Sequence, residues 1–141
     1  METWVHENFL ISTEKEKLNF EIIHHYLSTS YWAKERSREQ IIESIQHSLC
    51  FGVYHQNAQV GFARVITDYS TFAYLADVFI LPAHQKNGLG KWLIDTIFSM
   101  ERLKKIAKWL LLTNDAQKLY ARVGFEQFPY PERVMIKNAS T

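Results

Sequence analysis

The feature that most constrains this 141-residue sequence is a strand-like segment followed by a proline, a glycine loop and an amphipathic segment. Residues 72–81 are rich in β-branched and aromatic side chains and stop at Pro82, which cannot donate to a β-ladder. Residues 85–91 contain two of the five glycines, and apolar residues then recur at helical spacing to Leu103. The sequence therefore predicts a central strand, a tight loop and a helix in direct succession.

Two helices and two further strands are predicted before this unit. Apolar residues recur at helical spacing over residues 17–28, and a second helix begins near Ser37, where Ser37 and Gln40 form a capping box. Residues 50–54 and 59–67 are strand-like and flank a polar turn, which predicts a hairpin. With residues 72–81, this makes three consecutive antiparallel strands.

The C-terminal third contributes shorter elements. A buried strand is predicted at residues 108–112, followed by a helix that Thr113 or Asn114 caps and that ends at Gly124. Closing strands are predicted at residues 125–128 and 133–137. The order α, α, β, β, β, α, β, α, β, β indicates an α+β fold with a mixed, mostly antiparallel central sheet flanked by helices.

The amino-acid composition excludes several classes of protein. Sixteen Lys and Arg against fifteen Asp and Glu leave a net charge of +1, which disfavours nucleic-acid binding, and 47% apolar residues are enough for one folded domain over residues 1–141. The single cysteine, Cys50, cannot form an intrachain disulfide and is expected in the core. With no secretory signal and no stretch of about 18 apolar residues, we expect a cytoplasmic protein without a membrane association.

The glycine loop, residues 85–91, suits an anion. Gly88 and Gly90 let a ligand approach the backbone, the amides of a helix start attract phosphate, and Lys86 and Lys91 add positive charge. An ordinary glycine-bearing turn is the alternative. The P-loop spacing is absent, and the dinucleotide fingerprint would need glycine where Leu93 stands.

Two segments resemble conserved motifs of one protein family. Residues 85–90 have the form QxxGxG and resemble the acyl-CoA loop of the GNAT superfamily of N-acetyltransferases. Residues 116–125 read AxxLYxxxGF and are similar to the superfamily's second conserved block. The resemblance covers roughly residues 40–137. It implies a single GNAT-like acetyltransferase domain over residues 1–141, with acetyl-CoA as co-substrate, and an acyltransferase that acetylates a primary amine by direct attack in a ternary complex.

The resemblance also assigns roles by position. The loop amides would grip the CoA pyrophosphate, the strand before the loop would pair with the pantetheine arm, and Tyr120 would protonate the departing thiolate. Thr113 stands where the family often has asparagine, with Asn114 beside it. The implied cofactor-binding residues are Val78, Phe79, Ile80, Gln85, Lys86, Asn87, Gly88, Leu89, Gly90, Lys91 and Asn114.

The base and the acceptor pocket are less defined. Asp77 is the candidate base. An equally good alternative is that Asp77 is a structural partner of Arg64 or of a tyrosine hydroxyl. Tyr31 and Trp32 lie where the family usually builds its acceptor pocket and can enclose a cationic amine, although packing explains them too. Arg64 and Asp68 are further substrate-binding candidates.

The partner is expected to be a small-molecule or peptide amine, and a homodimer through exposed C-terminal strands is possible. Scattered histidines and a lone cysteine give no metal-ligand spacing, so no metal is expected. The main alternative function is a non-catalytic, CoA-binding sensor or protein-interaction module. A third is an unrelated α+β domain with a chance glycine turn.

Overall fold

The computed structural model describes residues 1–139 and contains one six-stranded sheet. Neighbouring strands are antiparallel except the last pair, which is parallel. In sheet order the strands are β1 Thr3–His6, β2 Phe9–Ser12, β3 Leu49–His55, β4 Ala58–Thr67, β5 Phe72–Ile80 and β6 Lys108–Leu110. The helices are α1 Phe20–Thr29, α2 Arg38–Gln46, α3 Leu89–Ser99, α4 Glu101–Lys104 and α5 Gln117–Ala121.

The predicted α+β class, with a mixed and mostly antiparallel sheet, is confirmed. So is the capping box of α2: the Ser37 hydroxyl accepts from the Gln40 amide at 3.1 Å, and the Gln40 side chain accepts from the Ser37 amide at 2.8 Å. Helix α1 begins three residues later than predicted, because the Asn19 side chain accepts from the Ile22 amide and caps it there. Gly124 has the left-handed φ of 104° that suits it to the end of α5.

The structure adds one hairpin that was not predicted and differs from the predicted closing strands and helix cap. The N-terminal hairpin of β1 and β2 was not predicted. The closing strands at residues 125–128 and 133–137 are wrong: these residues form no strand, and Pro131–Arg133 is a 3₁₀ turn. Pro129 and Pro131 lie between the two segments and lack the amide that a ladder needs, so neither segment can extend across residues 129–131. The N-cap position of α5 is occupied by Ala116, which makes no side-chain cap, and the Thr113 hydroxyl accepts from the Ala116 amide at 3.0 Å.

Two hydrophobic clusters hold the layers together. On one face of the sheet α3 buries Leu93, Ile94 and Ile97 against strand residues such as Phe51. On the other face α1 and α2 pack on a cluster that includes Cys50, Phe62 and Phe79. Burial raises the pKa of the Cys50 thiol to about 11, which suits a core residue. Within residues 1–139, every helix is too short or too polar to span a bilayer.

Strand β5 departs from regular pairing at two places that matter for function. Phe62 pairs with Phe79 but Arg64 pairs with Ala76, so β5 carries one extra residue at a β-bulge. Asp77 lies in the bulge with a φ of 56°, in the left-handed region that non-glycine residues rarely adopt. Strand β6 pairs only with Phe72, Ala73 and Tyr74. The second half of β5 therefore has a free edge on that side.

Tyr54 on β3 gives a test of the packing. Its hydroxyl is buried without a hydrogen-bond partner in the described chain, burial raises its pKa to about 12, and a Cβ on Gly52 would collide with it. We expect Tyr54→Phe to raise the free energy of unfolding by about 1 kcal/mol, because it removes an unsatisfied buried group. Urea unfolding measures this. Tyr130→Phe, at an exposed tyrosine, is the control and should be neutral; a loss of stability in Tyr54→Phe would contradict the prediction.

Candidate active site

The glycine loop presents a row of backbone donors. The first main-chain hydrogen bond of α3 runs from the Trp92 amide to the Gly88 carbonyl, at 3.0 Å. The six amides of residues 86–91 therefore precede the helical ladder, and none has an acceptor within residues 1–139. Gly88 caps the helix with a left-handed φ of 75°. The Gln85 side-chain amide donates to the Ile80 carbonyl at 2.9 Å and ties the loop to the end of β5.

This row can bind an anion. Unpaired amides at a helix N-terminus carry partial positive charge, and Lys86 and Lys91 are exposed beside them. Packing does not require glycine at position 90: an added Cβ would meet only Ile80, at an ordinary 3.9 Å. The missing side chain leaves open space next to the donors. A phosphate group fits such a surface better than a cation or an apolar ligand does.

The free edge of β5 continues from the loop. The Leu81 amide donates to the Val60 carbonyl at 2.8 Å, so the backbone alternation directs the amides of Val78 and Ile80 away from β4. That side has no neighbouring strand, because β6 has already ended. The Phe79 side chain is buried in the cluster under α1. An extended, amide-containing ligand can pair with this edge as an added strand would.

The Asp77 carboxylate is held by three side chains. The Arg36 Nη1 atom donates to both of its oxygens at 2.9 and 2.8 Å, Arg64 Nε donates at 2.9 Å, and the Trp32 indole donates at 2.9 Å. Burial of this 1% exposed side chain favours the neutral acid, but the guanidiniums of Arg64 and Arg36 outweigh it and hold the pKa below its ordinary value. We call Arg36, Arg64 and Asp77 the ionic cluster.

Sequence reasoning named Arg64 as a structural partner of Asp77 and missed Arg36. Arg64 also donates from Nη1 to the Ser48 hydroxyl at 3.1 Å and is nearly buried. Arg36 comes from the α1–α2 loop, residues 30–37, and lies 41 positions before Asp77. The only sequence signal for Arg36 was its place in the same loop as the aromatic pair Tyr31 and Trp32.

The side chains of Tyr31 and Trp32, the aromatic pair of the α1–α2 loop, are partly exposed to solvent. Tyr31 and Trp32 have ring centroids 5.2 Å apart in an edge-to-face arrangement, and both are exposed. The Tyr31 hydroxyl accepts from the Asn114 backbone amide at 3.3 Å, so the α1–α2 loop contacts the segment after β6. A partly exposed aromatic wall of this kind can lie against the carbon skeleton of a ligand or a cationic amine.

Tyr120 is the candidate donor to the departing thiolate. It belongs to α5, is nearly buried, and contacts Phe125 edge-to-face with ring centroids 5.9 Å apart. Burial, with smaller contributions from Tyr31 and Asp115, raises its pKa to about 12. The phenol is therefore protonated at neutral pH and has a proton available for a hydrogen bond.

Asp68 is placed apart from these residues. It lies in the β4–β5 turn, where its carboxylate accepts from the amides of Ser70 and Thr71 at 2.8 Å and from the Thr71 hydroxyl at 2.6 Å. These hydrogen bonds hold the pKa of Asp68 well below its usual range, and the bond from the Thr71 hydroxyl has the largest effect. The turn precedes β5, whereas the glycine loop follows it. The structure therefore brings Tyr31, Trp32, Arg64 and Asp77 together but leaves Asp68 outside.

Comparisons with known proteins agree with this arrangement. The sequence profile of the Acetyltransferase (GNAT) domain matches residues 46–127. A Gibberella zeae protein, provisionally named an acetyltransferase, is 29% identical over 86% of this chain and 80% of its own. A crystal structure of a Xanthomonas campestris pv. campestris protein, provisionally assigned to the GNAT family, is 41% identical, with a TM-score of 0.89 and 93% of each chain covered.

A more distant likeness concerns the fold alone. The N-acetylglutamate synthase of Neisseria gonorrhoeae, solved with coenzyme A and N-acetyl-glutamate, is 19% identical, with a TM-score of 0.66 over 88% of this chain and 30% of that one. The profile covers more than half of the chain, and the Xanthomonas likeness extends over nearly all of it. This chain therefore belongs to the GNAT family, whose members transfer acetyl groups from acetyl-CoA.

Proposed function

We propose that this protein transfers the acetyl group of acetyl-CoA to a primary amine by direct attack in a ternary complex. The observation that carries the proposal is the row of six unpaired amides, residues 86–91, next to the free edge of β5. The two surfaces are continuous, because the Gln85 side chain joins the loop to Ile80. Together they suit a ligand with a diphosphate at one end and an extended amide-containing arm.

Acetyl-CoA has this shape. In the proposal, its diphosphate accepts from the glycine loop, Lys86 and Lys91 add charge, and the pantetheine arm pairs with Val78 and Ile80. The Val78 amide is then the donor nearest the ionic cluster, and we assign it to the oxygen of the thioester carbonyl. An amide aimed at developing negative charge stabilises the tetrahedral intermediate. Binding both substrates in one site provides the remaining advantage of proximity.

The proposed reaction needs few side chains. The neutral amine attacks the thioester carbon and forms the C–N bond, and the cationic nitrogen of the adduct releases one proton to solvent. The intermediate then re-forms the C=O bond, breaks its C–S bond and expels the CoA thiolate, which takes a proton from solvent. Tyr120 is the proposed donor to that thiolate. Because its pKa is about 12 and a thiol's is about 8.5, complete proton transfer is uphill, so a hydrogen bond to the developing charge accounts for its effect.

The base role of Asp77 remains a prediction that its contacts do not favour. A general base needs an oxygen free to take a proton, and both Asp77 oxygens accept hydrogen bonds from charged or indole donors. The lowered pKa further weakens it as a proton acceptor. These contacts support the structural alternative, in which Asp77 fastens the α1–α2 loop to β5. The substrate ammonium then loses its proton to solvent before attack.

Two measurements test the proposed function. Calorimetry with acetyl-CoA tests the carrier site, and a thiol-release assay over a panel of primary amines tests transfer. The proposal requires binding and amine-dependent CoA release. Binding without release for any amine would identify a carrier-binding module instead, and absence of binding would reject the whole assignment.

Gly90→Ala tests where the diphosphate lies. The new methyl group occupies the open space beside the loop amides without a clash, and alanine is a better helix former than glycine by up to about 1 kcal/mol. We expect acetyl-CoA binding to weaken at least about tenfold, or 1.4 kcal/mol, while the free energy of unfolding stays the same or rises. Calorimetry and urea unfolding measure the two effects.

Gly88→Ala provides the contrast. Its φ of 75° disfavours any side chain, so this variant should lose about 1 kcal/mol of stability. Unchanged acetyl-CoA affinity in Gly90→Ala would show that the diphosphate does not lie over these amides.

A further inference from the structure

The ionic cluster carries an unbalanced positive charge. Arg36 and Arg64 both pair with Asp77, and no other acid forms an ion pair with either guanidinium in the described chain. Two cations therefore share one anion. Arg64 alone would neutralise the carboxylate, and it also bonds to Ser48. A second guanidinium at the same carboxylate adds repulsion between like charges, which a further anion would relieve.

The unbalanced charge is accessible on Arg36. Its side chain is 29% exposed, whereas that of Arg64 is 8% exposed. Arg36 contacts Asp77 through Nη1 only; its Nε and Nη2 donors have no partner within residues 1–139. Together, Nε and Nη2 form the edge of a guanidinium that matches the two oxygens of a carboxylate.

The position of Arg36 connects this free edge to the reaction site. Its guanidinium is 2.8 Å from the carboxylate of Asp77, the residue just before Val78, whose amide we assign to the thioester carbonyl. Trp32 contacts the same carboxylate, and its ring lies beside Tyr31, which in turn lies near Tyr120. The free donors of Arg36 and the aromatic pair therefore surround one carboxylate, and the Tyr31 hydroxyl also accepts from the Asn114 amide in the segment before α5.

We propose that the acetyl acceptor is an amine that also carries a carboxylate, and that Arg36 binds this carboxylate through Nε and Nη2. Tyr31 and Trp32 lie against the carbon skeleton, and the amine reaches the thioester beside Val78. One unbalanced charge matches a singly charged carboxylate better than a phosphate dianion. This inference rests on the proposed acetyl transfer and specifies the acceptor class for it.

The test compares matched acceptors. Each amino acid is compared with its carboxamide and with the corresponding amine that lacks the carboxyl group. Because these amines differ in pKa, kcat/KM for CoA release is calculated from the concentration of the neutral amine. In the wild-type protein, kcat/KM is expected to be at least about tenfold higher for the carboxylates, mainly because KM is lower. This is the size of effect expected from a charge-assisted hydrogen-bonded pair between Arg36 and the carboxylate. O-phosphoethanolamine against ethanolamine tests a phosphate; a stronger preference there would overturn the carboxylate assignment.

Arg36→Gln is the decisive variant. It is expected to remove the preference: kcat/KM for the carboxylates should fall about tenfold more than kcat/KM for the amines that lack a carboxylate, whose own decrease reports any loosening of the α1–α2 loop, and Arg36→Lys should restore part of the preference. Arg38→Gln is the matched control, since Arg38 lies two residues away and pairs with exposed Glu21, and it should behave as wild type. An equal loss for all acceptors would make Arg36 only structural and overturn the proposal.

Failure of carboxylate recognition and failure of acetyl transfer give different results. CoA release that ignores the carboxylate overturns the inference and leaves acetyl transfer standing, whereas no binding of acetyl-CoA rejects both. If no amine is turned over, the same pairs are titrated calorimetrically into CoA-saturated protein. Carboxylate-selective binding that Arg36→Gln abolishes supports the proposal, and its absence in wild type overturns it.

Discussion

Tyr120→Phe is expected to lower kcat at least about 100-fold, the usual effect of losing one positioned donor to a developing negative charge. The substitution keeps the ring and its contact with Phe125 and removes only the hydroxyl. Binding of acetyl-CoA should change less than twofold, because the loop amides and the β5 edge are intact. Steady-state thiol release and calorimetry measure the two quantities.

Tyr130→Phe serves again as the control, because Tyr130 is exposed and outside the proposed site. It should leave kcat unchanged. A Tyr120→Phe protein with wild-type kcat would mean that Tyr120 only packs in the core, and the departing thiolate would then need no side-chain donor.

Asp77→Asn is expected to destabilise the fold by about 3 kcal/mol or more, because it leaves two guanidiniums beside a neutral amide in a buried site. Asp95→Asn is the matched control, since the Asp95 pair with Arg122 is exposed and should contribute about 0–1 kcal/mol. Urea unfolding at neutral pH measures both variants. An Asp77→Asn protein with wild-type stability but a shifted pH–rate profile would instead support the base role.

The stability effect of Asp77 should depend on pH. Its pKa is lower in the folded than in the unfolded chain, where the ordinary value is about 4, so the folded state prefers the ionised form. The contribution is therefore complete above that value and decreases as the pH falls through the folded pKa. The stability difference between wild type and Asp77→Asn should be constant near neutrality and shrink in acid.

Local signals in the sequence were sufficient for much of the fold. The capping box of Ser37 and Gln40 and the break at Gly124 depend on neighbours within a few positions, and both occur as predicted. The β1–β2 hairpin was missed because its strands are four residues each, with little burial in β1, and depend on pairing with β3. The strands predicted after residue 124 failed where Pro129 and Pro131 outweigh a short apolar pattern.

The candidate site likewise combines features that local sequence predicts with contacts that depend on long-range packing. The glycine loop is local, and its two glycines and following helix are visible in the sequence. The Asp77–Arg64 pair was foreseen only as one of two alternatives. Arg36 was missed because the two residues are 41 positions apart and meet only when the α1–α2 loop folds over the bulge in β5. Contacts of this separation follow from packing rather than from local pattern.

The two halves of the site have different tolerance to sequence change. The glycine loop offers main-chain amides, so replacing the exposed residues Lys86 or Asn87 leaves those donors in place. The α1–α2 loop offers side chains, and a single carboxylate on β5 anchors it. Under the proposed function, acceptor preference would therefore change with the side chains of the eight-residue α1–α2 loop, while the main-chain donors to the carrier would be kept.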